Sequence, residues 1–350
     1  MTTHPPTLGL FQKRIEGDDS LLALAALRFR QAGLGAEFYA DHPNDLEALW
    51  NFRPTPETYA TVHLNRGIDI LERRSRELVI DFANRFRGRV AGLVVHDQPE
   101  MAAQPQAYLL ALREMASRLE KIGNRPWVFI EYAAGLEPDA FVGMFERIRG
   151  IDCISACMDI GHVGIWQARQ SYSRNHPGED VCALTPDHPR LPELAADVQA
   201  AVRSALPSAL SLIEALGGFG KPLHFHLHDG HPLSTFSPYG VSDHLSFLFR
   251  IPIPFAYDGK SSLDPMYGPV GLFEIVAKSI DALGAGSLSY TLEIHLPDGR
   301  LPLRDASNLF QHWRDKTNAE RMNQWLWVLL ENRQLLGAAL ELTSKTSNQQ

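Results

Sequence analysis

Residues 127–162 read WVFIEYAAGLEPDAFVGMFERIRGIDCISACMDIGH, and their order decides the fold. Trp127–Tyr132 is a short β-branched and aromatic run, Ala140–Arg149 repeats apolar side chains at helical spacing, and Ile154–Asp159 is a second apolar run. Strand, helix, strand calls for parallel pairing through a right-handed crossover. The alternation continues on both sides. Strands are predicted at Leu8–Phe11, Ala36–Ala40, Tyr59–Leu64, Val90–His96, Leu223–His228 and Tyr290–His295. Helices are predicted at Leu21–Gln31, Ile68–Phe86, Tyr108–Ile122, Leu194–Leu216 and Val270–Leu283. Eight strands in strict alternation with helices are what a closed (β/α)8 TIM barrel needs, and a doubly wound open sheet is the alternative. The expected class is α/β: one TIM barrel over 1–310, helices over 311–342 and a frayed tail over 343–350.

Two connections exceed the usual ~2–6 residues, which marks them as lids or binding loops. The polar, Pro-rich Gln170–Pro192 follows strand six, and Gly230–Pro269 follows strand seven. Both would overhang the catalytic mouth of a barrel. Phe236, Tyr239, Phe247, Phe249 and Phe255 in the second loop offer an apolar wall around a substrate. The leucine and aromatic stripe near the C-terminus is expected to pack on the barrel or to form the seam of a homo-oligomer.

Composition narrows the partners. The chain has 350 residues, a formal net charge of -8, 45% hydrophobic and 21% charged residues, which describes a globular protein and excludes disorder or a small disulfide scaffold. No apolar run reaches the ~18–20 residues of a bilayer span and the first residues lack a secretory pattern, so no membrane is expected and the location is expected to be cytoplasmic. Cys153, Cys157 and Cys182 form no zinc-type pairs and read as apolar fillers. Arg73, Arg74 and Arg76 are flanked by Glu72 and Glu77 on one helix surface, which argues against nucleic acid as a partner.

The strand ends carry the chemistry. His63 closes strand three, His96 strand four, Glu131 strand five, Asp159 and His162 follow strand six, and Glu293 closes strand eight. Strand seven, LHFHLHDG, places His224, His226 and His228 on one face by its period of two. A carboxylate in an apolar strand costs several kcal/mol unless a cation or partner compensates it. Glu131, Asp159, His226 and Glu293 can compensate one another around one divalent metal ion. Carboxylate oxygen with imidazole nitrogen suits manganese, cobalt, magnesium, zinc or iron equally.

These residues carry a resemblance. EY at 131–132, MDIGH at 158–162, HFHLHD at 224–229 and LEIH at 292–295 resemble the xylose-isomerase-like barrel superfamily, which includes sugar epimerases, inosose dehydratases and apurinic endonucleases. The resemblance spans residues 8 to 310. It implies one divalent ion on Glu131, Asp159, His226 and Glu293, with His162 beside a small sugar-like substrate. It also implies an isomerase or epimerase in which Glu131 and Glu293 exchange a carbon-bound proton through a metal-stabilised enediolate; a dehydratase would share that first step. Two departures qualify it. Many ketose epimerases have an Arg a few residues after the strand-seven His, and HLHDGHPLSTF has none. His63 and His96 sit where the endonuclease branch has further zinc ligands, with His228, Asp229, Asp243 and His244 as further candidates for metal or substrate. A second ion would favour hydrolysis of a phosphoester. A binding protein on a decayed barrel is the non-enzyme alternative.

Overall fold

A computed structural model describes residues 7–8, 18–55, 59–133, 135–179, 184, 189–230, 244–248, 264–294 and 319–347. The sheet is a parallel barrel flanked by helices. Its strands are β1 (Thr7–Leu8), β2 (Gly35–Ala40), β3 (Ala60–Leu64), β4 (Gly92–His96), β5 (Trp127–Glu131), β6 (Ile154–Asp159), β7 (Leu223–Leu227) and β8 (Leu288–Leu292), arranged in chain order in a nearly closed sheet. Parallel registers join β1 through β7, with Tyr39 opposite His63, His96 opposite Glu131 and Asp159 opposite His226.

The chain divides into two compact units. The first comprises Met1–Asp159, Ala215–His226 and Leu283–Thr291. Helices cover the outside of its strands and side chains fill the inside, so the strands read as almost unbroken apolar runs. Every residue of β3 and β6 is buried. One interior layer is Val94, Phe129 and Cys157, with the Phe129 ring 5.3 Å from that of His224. Gly92 makes room for it, since a Cβ there would lie 2.5 Å from the Phe129 ring. Outside, α1 (Arg73–Arg85) buries Val79, Phe82 and Ala83, worth about 1.5–3 kcal/mol for each large side chain removed from water. Lys221, just before β7, is buried and its ammonium donates to the carbonyls of Ile148, Ile151 and Ile154 at 2.8, 2.7 and 3.2 Å.

The second unit comprises Ile160–Glu214, Leu227–Ala282 and Leu292–Gln350. It holds α2 (Ile160–Asn175), α3 (Leu191–Arg203) and most of α4 (Ala205–Gly217) and α5 (Gly268–Leu283). The last helix, α6 (Ala319–Ser347), buries Leu326, Leu329, Leu336 and Ala339. Its buried Asn332 donates to Ser246 Oγ at 2.8 Å and accepts from the Phe247 N–H at 3.1 Å. Thus one polar residue in the leucine stripe ties part of the long second loop to the helix.

Several expectations shift. The predicted helix Ile68–Phe86 begins only at Arg73, because residues before it are held in turns, with Asp69 Oδ1 accepting from the Leu71 N–H. The predicted Leu194–Leu216 is two helices broken at Ser204, where Pro207 removes a backbone donor from the first turn of the second. Helix α2 runs to Asn175, so the loop expected from Gln170 starts later; Tyr172 is buried and anchors that turn. The tail expected over 343–350 is helical to Ser347, with Thr343 donating back to the Ala339 carbonyl at 2.8 Å. Among the described residues no helix is long and apolar enough to cross a membrane.

Candidate metal centre

In the first unit, Glu131 at the end of β5 is the hub. Its Oε2 lies 2.9 Å from His63 Nε2 and 3.3 Å from His96 Nε2, and its Oε1 lies 3.4 Å from His226 Nδ1. Asp159 offers a carboxylate oxygen within 4.8 Å of one of Glu131. Glu131, Asp159, His63 and His226 are all buried, and His96 is partly so. The arrangement follows from register: β4 pairs His96 with Glu131, and β6 with β7 pairs Asp159 with His226. Neighbouring parallel strands therefore deliver their last inward side chains to one level of the barrel.

The hydrogen bonding of His63 leaves this cluster able to hold a cation. Its Nδ1 is 2.9 Å from the Leu64 carbonyl, which can only accept, so Nδ1 carries the proton. In the neutral imidazole the Nε2 lone pair then faces the Glu131 carboxylate at 2.9 Å. Two lone pairs at that distance ask for a positive charge between or beside them, either a proton or a cation. Fixing one ring nitrogen on a backbone carbonyl is also how metal-binding histidines are oriented. The buried His63 and Glu131 and the partly buried His96, each with one ligand atom within 4.8 Å of the others, can hold a metal ion.

Electrostatics point the same way. Burial pushes the Glu131 carboxyl up, but His96, His226 and His63 around it outweigh that and hold it well below the usual carboxylate range. Burial pulls His63 down while the charge of Glu131 raises it further, with a net upward shift.

The lone acid of β2, Glu37, belongs to the same interior although the sequence reading passed it over. Its Oε2 accepts from Thr61 Oγ1 at 2.6 Å and Thr291 Oγ1 at 3.1 Å, and lies 2.9 Å from His224 Nε2. The other oxygen is 3.1 Å from His226 Nε2. Its signal was available: GAEFYA is an apolar strand with a single carboxylate, the same pattern that singled out Glu131. Glu37 lies within β2 and not at its C-terminal end, where a barrel builds its catalytic layer.

Cys157, His224 and His226 also bring one ligand atom each within 4.8 Å. His224 is already committed, with Nδ1 2.7 Å from Ser289 Oγ and Nε2 on Glu37. Burial raises the Cys157 thiol far above its ordinary value, so it stays protonated. His224 and Cys157 are therefore poor metal ligands as they stand.

In the second unit, His228, His244 and Glu293 each offer an atom within 4.8 Å of the others, and all are buried. The rings of His228 and His244 stack at 4.2 Å, and His244 Nε2 is 3.7 Å from Glu293 Oε1. His244 has φ 50°, a conformation that costs about 1–3 kcal/mol for a residue of its kind and is kept by its surroundings. An antiparallel bridge from Asp229 to Leu245 supplies that constraint. Asp229 itself is spent on the backbone: its carboxylate accepts from the N–H groups of Gly230, Tyr267 and Gly268 at 2.8, 3.0 and 2.7 Å. Gly161 in MDIGH also has a steric reason. A Cβ there would fall 1.8 Å from His228 Cε1. We expect Gly161→Ala to displace His228 and to lower stability by about 1–3 kcal/mol, read by urea unfolding; an unchanged midpoint would mean that the ring has room to turn away. His162 lies at the start of α2 in this unit and is partly exposed, and Asp243 lies outside the described residues. Of the residues implied for a single ion, Glu131, Asp159 and His226 belong to the first unit and Glu293 to the second.

No family model matches the chain, and no curated protein matches it. Among solved structures it is similar to a pyruvate carboxylase variant from Rhizobium etli, at 11% identity and a TM-score of 0.35. The match covers 96% of this chain and 28% of that one. A likeness this distant carries no argument about activity.

Proposed function

We propose that this chain is a metal-dependent hydrolase of phosphoesters, built on an eightfold (β/α)8 barrel, with Glu131 as the carboxylate shared between divalent ions. The observation that carries the proposal is the crowding of both Glu131 oxygens, Oε2 by His63 and His96 and Oε1 by His226. His63, His96 and Glu131 make up one set of donors that could hold a divalent ion, and Asp159 offers a further carboxylate oxygen within 4.8 Å of Glu131. When bound, the cations would supply positive charge against the phosphoryl oxygens and an activated water. The chain's own part is to fix the donors: Leu64 orients His63, and register sets Asp159 beside His226. The net charge of -8 favours a small phosphoester over DNA.

The isomerase or epimerase reading is the second one, supported by the presence of Asp159, His226 and Glu293 at their strand ends. It asks Glu131 to exchange a proton with carbon. A carboxyl held well below its usual range with both oxygens engaged is a weak base for that step.

An assay separates them. Protein loaded with manganese or zinc should hydrolyse bis(p-nitrophenyl) phosphate or p-nitrophenyl phosphate, and His63→Ala should lower the rate at least about a hundredfold, the scale of losing one stabilising group at a reaction centre. Exchange of deuterium from heavy water into ketoses or inososes, with no phosphoester turnover and no effect of His63→Ala, would establish the second reading instead.

A further inference from the structure

The ring of His226 stands between two carboxylates, with Nε2 3.1 Å from Glu37 Oε1 and Nδ1 3.4 Å from Glu131 Oε1. A neutral imidazole has one N–H and so satisfies only one of them. The network beneath decides which. Tyr59 donates its hydroxyl to Ser289 Oγ at 3.1 Å, Ser289 donates to His224 Nδ1 at 2.7 Å, and His224 donates through Nε2 to Glu37 Oε2 at 2.9 Å. Thr61 and Thr291 donate to that same oxygen. Every donor runs toward Glu37, whose second oxygen faces His226. Glu37 is buried, as are His224 and His226, and no side-chain cation appears among the partners named here.

We propose that Glu37 is the positioning residue of the metal centre: its Oε1, 3.1 Å from His226 Nε2, would hold the proton on that nitrogen and so turn the Nδ1 lone pair toward Glu131, where a divalent cation would be held. Imidazoles that hold metals are oriented in this way by a carboxylate on the far nitrogen, and loss of such a partner weakens the metal about 10–100-fold. The inference rests on the reading of the Glu131 cluster as a metal centre and adds the group that fixes its third imidazole. His224 serves Glu37 in turn, since both of its nitrogens are used in holding the carboxylate in place. The common direction of donation explains why the hydroxyls of Thr61, Ser289 and Thr291 and the ring of His224 are buried in an otherwise apolar barrel layer, where each would cost free energy without a partner.

Two measurements test it on the full-length protein. The first is the ¹⁵N shift pattern of the His226 ring in metal-free protein at neutral to mildly basic pH. Nε2 should be the protonated nitrogen in the wild type, and Glu37→Gln should erase that preference. The second is cobalt(II) titration followed by visible absorption, in which Glu37→Gln should bind about 10–100-fold more weakly and Glu37→Asp should recover part of the loss. A wild-type ring protonated at Nδ1 overturns the proposal, and that result needs no variant to fold. So does a Glu37→Gln protein with unchanged cobalt affinity, or one weakened with its ring tautomer intact. Wild-type protein that takes up no cobalt, manganese or zinc while His226 keeps its Nε2 proton would sink the metal reading and leave Glu37 shown only as the ring's anchor, which also overturns the proposal as stated.

Discussion

Replacing Glu131 by Gln is expected to abolish metal binding while leaving the metal-free protein folded. The amide keeps the shape of the carboxylate but removes the charge that three imidazoles face at 2.9–3.4 Å. Losing a ligand shared by two sets of donors should exceed the ~10–100-fold effect of losing a supporting group, so no ion should remain after gel filtration. The metal-free stability should respond in a pH-dependent way. His63 is raised above its ordinary value of 6.5 in the folded protein, so its contribution is fully present below that value and is lost as pH rises through the higher folded one. Glu131 is depressed below 4.5, so its contribution is present above that value and is lost as pH falls through the lower folded one. Wild-type apoprotein should therefore lose stability as the solution is made basic, and Glu131→Gln should flatten that limb. Thermal unfolding across pH 5 to 9 reads both. A variant that keeps its metal, or an apoprotein whose alkaline limb is unaffected by the substitution, would count against the cluster as described.

The second large effect is expected away from the metal. Lys221→Met should destabilise the fold by about 2–4 kcal/mol, because three carbonyls lose one donor together and only some of them can turn to water. Those carbonyls lie at Ile148, Ile151 and Ile154, between a helix end and the start of β6, so the ammonium staples the connection that leads into the Asp159 strand. Met preserves the apolar stem, which isolates the charge-assisted hydrogen bonds from packing. The urea midpoint should fall with an unchanged slope. A change below about 0.5 kcal/mol, the range of an ordinary surface substitution, would show that water replaces the ammonium without cost.

How much of this was legible in the sequence depends on what fixes each feature. Strand positions were, because short apolar runs such as WVFIE and ISACMD are buried on both faces and cannot be read as amphipathic helices. The meeting of His63, His96 and Glu131 was anticipated in part, since position at a strand end translates into depth in a parallel barrel. Glu37 was not, although its strand carried the same lone-carboxylate signature, because attention to strand ends discards mid-strand positions. The hydrogen-bond direction that fixes His63 and His224 depends on Leu64 and Ser289, which carry no chemical signal in one dimension. The role of Gly161 was equally hidden: only the approach of His228 from another part of the chain explains it. Asp229 reads as a ligand in HLHDGH, yet three backbone N–H groups, two of them nearly forty residues away, take up its oxygens. Long-range backbone partners of that kind leave no pattern along the chain.

The count of metal ions on protein purified without chelator, by elemental mass spectrometry, tests the central claim most directly. About two divalent ions per chain are expected on the Glu131 cluster, falling by one in His63→Ala and to none in Glu131→Gln. Protein that carries no divalent ion after growth and reconstitution with manganese, zinc, cobalt and iron, or a full complement that neither substitution alters, would contradict it.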